Sequence, residues 1–196
     1  MRATLSGVTA DKIMGEFRDM VLRADLHYRV WRVYTGEPQH RVTYARPYSL
    51  FFDLSRDAHL GQAIVLTYQL FHEPQSRKHA DTTLSVHRVR DVVFDQLSSE
   101  ARAAIDSEIE AAQDTHEKIH TLRNKFLAHR DLNFTDDAFE NAGLTPADLQ
   151  AQIEVGKRIH NIIGDVDNLN TGTYRFDLDA DASLRRVLDS LAAAGG

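Results

Sequence analysis

The chain has 196 residues, 42% of them apolar and 27% charged, with a net charge of -6 at pH 7 and no cysteine. That length suits one domain able to bury most of its surface, and the composition excludes a disordered or fibrous polypeptide. The lack of cysteine excludes disulfides, thiolate metal sites and a cysteine nucleophile and fits a reducing cytoplasm, while the polar start and short apolar runs predict no signal peptide and no membrane span.

In chain order, apolar residues recur at helical spacing and strand-like alternation is almost absent. Ile13, Phe17, Met20, Val21, Ala24, Tyr28, Trp31 and Tyr34 form the stripe of a first helix that ends at Gly36 and Pro38. Pro47, whose fixed φ suits a first turn, opens a second helix carrying Leu50, Phe51, Leu54, Ile64, Tyr68 and Phe71 to about His72. A polar connection over 73–81 leads to a shorter helix with Leu84, Val89, Val92 and Phe94. Ser98 or Ser99 then caps a long helix running to about Asp131. Thr145-Pro146-Ala147-Asp148 supplies a cap, a first-turn proline and a first-turn acid for a fifth helix through Leu149, Ile153, Ile159, Ile162 and Val166. Residues 170–179 read as a loop with a short extended piece at 174–178, and Leu184 to Leu191 form a final short helix. The expectation is an all-α antiparallel bundle forming one domain over 1–196, with a core of about 9–168 and a C-terminal extension of about 170–196.

Charge is unevenly spread along the long helix. Six acids face one base from Glu100 to Glu117, whereas Lys118 to Arg130 hold four bases and no acid, with His120 and His129 besides. From Asp131 onward acids again dominate, twelve against five bases. An anion confined at the basic island meets favourable charge, and the acid around it discourages indiscriminate phosphate binding. With about 100° per residue and Phe126 at zero, Ala112, Ile119 and Leu122 define a buried face, and Arg123 and His129 flank Phe126 at about +60° and -60°. Charged groups on the shoulders of an apolar stripe are costly unless paired or lining a site. Asn124 points roughly away from Phe126.

The string from Thr121 to Asp131, TLRNKFLAHRD, with Arg123-Asn124 followed after four residues by His129, resembles the signature of the HEPN superfamily, and its RNKFLAHRD wording the AbiU-like abortive-infection branch. The resemblance implies a HEPN-like antiparallel helical bundle with additional C-terminal helices, acting as a metal-independent endoribonuclease in a defence or toxin-like setting. It assigns catalysis to Arg123 and His129 with Asn124 in support, and RNA contacts to Lys125, Arg130, Lys118 and His120. It also implies no metal or other cofactor, an RNA substrate, a homodimer that joins two motifs in one composite site, an antitoxin partner, and a cytoplasmic location. Histidine near its working pKa can take the proton of an attacking 2′-hydroxyl, and a guanidinium can hold two phosphoryl oxygens at once. Lys125, one turn before His129, favours the neutral imidazole.

Two other readings compete. A bundle of this kind can bind a partner without cutting anything, because fold does not carry activity. His116-Glu117-Lys118-Ile119-His120 spells H-E-x-x-H, the pattern in which two histidines on one helical face bind zinc and the glutamate activates water. Its extended form requires glycine and histidine where this chain has Arg123 and Phe126, and Glu140 is the carboxylate left as a third ligand. A surface or interface histidine pair is the better expectation. His72, His79 and His87 read as solvated histidines, and Trp31 with Tyr28 and Tyr34 as core rather than a base-stacking platform. The acidic runs near Asp165 and Asp181 lack the glycine and terminal glutamate of a calcium loop.

Overall fold

The computed structural model describes residues 9–36, 49–73, 83–128, 134–165 and 180–194. They form seven α-helices: α1 (Ala10–Gly36), α2 (Ser49–Phe71), α3 (Val86–Val93), α4 (Ser99–Ala128), α5 (Phe134–Asn141), α6 (Pro146–Gly164) and α7 (Ala180–Ala194), with a 3₁₀ turn at Phe94–Gln96. No strand occurs among the described residues, as an all-α reading requires. None of these helices is long and apolar enough to cross a membrane.

Local chemistry explains the boundaries. Ser85 caps α3 by accepting from the Arg88 N–H, and Ser98 caps α4 by accepting from the Ala101 N–H at 3.1 Å. Thr145 and Asp148 form a reciprocal capping box at the start of α6, with Pro146 in the first turn. Between α5 and α6 the chain turns on Gly143, whose φ of 65° belongs to the left-handed region. There the Leu144 N–H donates to the Phe139 carbonyl and the Gly143 N–H to that of Glu140, each at 2.9 Å, the paired bonds of a Schellman ending.

Helix α1 lies at the centre and touches α2, α3, α6 and α7. Its pairing with α2 is antiparallel, with His27 against His59 and Tyr34 against Phe52 and Ser55. Its pairing with α6 is also antiparallel, with Phe17 beside His160 and the Tyr28 hydroxyl donating to the Pro146 carbonyl at 2.9 Å. Phe17, Met14, Ile64, Leu70, Ile119, Leu122, Ile153 and Ile159 lie fully buried in the main core. Burying side chains of that size contributes roughly 1.5–3 kcal/mol each, which is what drives the helices together. A second cluster of Val30, Val33, Tyr34, Phe52 and Leu188 docks α7 onto α1 and α2.

Three sequence expectations change. Leu50, Phe51 and Leu54 are 72%, 67% and 59% exposed, and Phe52 is the buried residue of that turn. The run Leu50-Phe51-Phe52 is apolar all round, so spacing could not choose its inward face; packing against Tyr34 does. Helix α5 was not expected, and α7 is longer than the piece read from Leu184 to Leu191. Trp31, Tyr28 and Tyr34 are buried, as core residues should be. The loop expected over 170–179 lies outside the described residues.

Candidate functional site

One stripe of α4 runs along the edge of its buried face. Gln113, His116, His120 and Arg123 follow one another at intervals of three or four residues and therefore share a side of the helix. Opposite stand Tyr68, Phe71 and His72 from the end of α2, with His87 from α3, and the elements enclose a cleft of about 230 Å³. Glu117 of α4 and Glu73, just past α2, bring carboxylates to its wall.

Tyr68 organises the cleft. The His116 and His120 rings stack on it at centroid distances of 5.2 and 5.4 Å, with interplanar angles of 16° and 21°. Its hydroxyl shares a 2.8 Å hydrogen bond with His72 Nδ1. The Arg123 guanidinium carbon lies 4.7 Å from the centre of the same ring, a cation–π contact that holds a charged group against an apolar surface.

Arg123 is tied down on one further side. Its Nη1 donates to Asn124 Oδ1 at 3.2 Å, and the Asn124 amide nitrogen meets His120 Nε2 at 3.0 Å. Asn124 thus links the arginine to the histidine stripe, although the helical count turns it away from Phe126. Among the described residues Arg123 has no carboxylate partner, and its buried Nε has no hydrogen bond. His116 Nδ1 is likewise buried without a partner.

Burial governs the imidazoles. His116 is held down to about 4, first by desolvation and then by His72, His120 and His87, with Glu117 acting weakly the other way. His72 is lowered by burial, then by Arg123 and His120. His87 is also lowered, burial outweighing the opposing pull of Glu73. These three rings are therefore neutral near pH 7, each able to donate one hydrogen bond and accept another.

The sequence-predicted residues fall into three groups. Arg123, Asn124 and His120 come together at the cleft. Lys118 and Lys125 go elsewhere: Lys118 Nζ lies 2.6 Å from Asp114 Oδ2, and Lys125 Nζ donates at 2.9 Å to the Asn141 carbonyl at the end of α5. His129 and Arg130 lie outside the described residues, as does His79. His72 and His87 are not the solvated histidines that their polar surroundings suggested, because α2 and α3 fold them against α4. His116 and His120 of the H-E-x-x-H pattern lay their rings on Tyr68, and among the described residues no three histidine or carboxylate side chains are arranged to hold a metal ion.

A HEPN family model, described as AbiU2, matches residues 9–182. No curated protein and no solved structure matches the chain.

Proposed function

The chain belongs to the AbiU2 family of HEPN proteins, a family associated with abortive infection, and from that premise we propose that it is a metal-independent endoribonuclease. The observation that carries the reading is the state of Arg123: positioned by Tyr68 and Asn124, with no carboxylate on it among the described residues. A planar guanidinium in that state suits two phosphoryl oxygens of an RNA backbone.

In the proposed reaction the RNA 2′-hydroxyl attacks the adjacent phosphorus and the bond from phosphorus to the 5′-oxygen breaks. His129 takes the proton of the attacking hydroxyl, and the departing 5′-oxygen takes one from water. Arg123 stabilises the charge that develops on the phosphoryl oxygens, and Asn124 fixes its direction. A homodimer with the two motifs facing across a two-fold axis would place two such pairs in one cleft. Arg130 and His120 are assigned to the RNA backbone, with smaller shares for Lys118 and Lys125 because each is already engaged. The setting is cytoplasmic defence, with an antitoxin protein as the natural restraint.

Wild type, Arg123→Ala and His129→Ala incubated with mixed RNA in EDTA test this reading. Cleavage that resists EDTA and disappears in both variants is the expected result. Folded wild-type protein that binds RNA but never cuts it would favour a non-catalytic HEPN-like binding module, a reading supported by the commitment of Lys118 and Lys125 to structural contacts. Bound zinc with EDTA-sensitive proteolysis would instead restore the peptidase reading of His116, Glu117 and His120.

A further inference from the structure

We propose that the cleft beside Arg123 is a pocket for one RNA base, and that Glu117 and Glu73 select guanine. The proposal rests on the ribonuclease reading and names the base that stands next to the phosphate held by Arg123.

Size comes first. A space of about 230 Å³ is smaller than the roughly 300–1,000 Å³ of drug-sized pockets, so it admits one ring system and not a folded oligonucleotide. Its walls are ringed: Phe71 meets His116 at 6.3 Å with the rings tilted by 45°, and His116 and His120 are themselves stacked on Tyr68. Single-stranded RNA is read by splaying a base onto aromatic and histidine faces of this kind. Arg123 touches the same Tyr68 ring, so phosphate and base sites share a wall.

Charge decides which base. With His72, His87 and His116 neutral, the negative charge on the cleft wall comes from Glu73 and Glu117. Gln113 Nε2 donates to Glu117 Oε1 at 3.2 Å, which orients the carboxylate and occupies one of its roughly four acceptor positions. A carboxylate accepts but cannot donate. Guanine offers N1–H and an exocyclic amine side by side, a donor pair that one carboxylate can accept together. Uracil presents two carbonyl oxygens on either side of its single N–H, and these oppose the same group. Selection by such a bidentate contact amounts to about tenfold or more between the right and wrong base.

The test combines cleavage mapping with binding. Wild type, Glu117→Gln and Glu73→Gln are applied to an RNA of balanced base composition, and cut positions are read by sequencing. Calorimetry with guanosine and uridine 3′-monophosphates runs in parallel, and thermal unfolding confirms that each variant is folded. Cuts clustered at guanosine by about tenfold over uridine, and flattened to about threefold or less in at least one folded variant, support the pocket. Cuts spread evenly, or a preference untouched in both variants, overturn the pocket while the ribonuclease stands. If wild type cuts no RNA, guanosine monophosphate binding that Glu117→Gln weakens supports the pocket and sinks the ribonuclease reading alone. Neither cleavage nor binding overturns both.

Discussion

Two cations occupy comparable seams of the bundle and are held in opposite ways. Between α1 and α6, Lys157 Nζ lies 2.8 Å from Asp25 and 2.7 Å from Glu154, and Asp25 also pairs with Arg29 at 3.2 Å. Between α2 and α4, Arg123 has an aromatic ring and an amide as partners. Asp25 is almost wholly buried, so its charge requires compensation for the helices to close, and the lysine supplies it. Arg123 is compensated by nothing of opposite sign among the described residues. The contrast separates a cation that fastens helices from one whose charge remains available to an anionic ligand.

Asp25→Ala should have the largest effect. Removing one member of a buried ion pair costs about 3–5 kcal/mol, which corresponds to a fall in Tm of roughly 6–20 °C for a chain of this size. RNA cleavage per folded molecule should be unchanged. Arg123→Ala should do the reverse: a loss of about 100- to 1,000-fold in cleavage, as when one transition-state donor is removed, with a stability change of about 1 kcal/mol or less. If both variants damaged stability and cleavage alike, the distinction between the seams would collapse.

Acid should reveal the same difference. The folded protein holds His116 at about 4 against an ordinary 6.5, so the unfolded chain takes up that proton first. Stability from this group is therefore complete above about pH 6.5 and is lost as pH falls toward 4; with allowance for partial solvent screening the loss is roughly 1–2 kcal/mol. Unfolding midpoints at pH 7, 6 and 5 should show the decline, and His116→Gln should flatten it. The smallest effect belongs to Lys118→Ala. Because Lys118 pairs with Asp114 on the surface, the substitution should leave Tm nearly unchanged and lower the salt dependence of RNA binding by less than the roughly one unit of a full phosphate contact.

The helices were readable where local chemistry and periodicity agreed. Thr145, Pro146 and Asp148 announce α6, and the pair Ser98-Ser99 announces α4, with Ser98 making the capping bond, because caps act within one turn. Phe52 was missed in favour of its neighbours because a uniformly apolar turn contains no direction. Helix α5 escaped because eight residues rich in aspartate and asparagine have weak helical preference, and its docking depends on a distant contact, Trp31 on Phe139 at 5.7 Å. In the candidate site, the family match spans the stretch that carries the motif, but the walls of the cleft come from three helices. One signal was present: by helical count His116 and His120 lie on the same side of Phe126 as Arg123, about 60–120° round. Nothing in the local sequence tells that Tyr68, His72 and His87 fold against that stripe, since they lie tens of residues upstream.

The bond from Lys125 to the Asn141 carbonyl has a consequence for the motif as a mechanical object. It joins the last turn of α4 to the end of α5, 16 positions further along the chain. Two helix ends bonded to each other explore fewer relative arrangements than two joined by the chain alone, so less ordering of α5 against α4 remains to be done when a substrate or a second copy arrives. Lys125 thus belongs to the motif as a clasp.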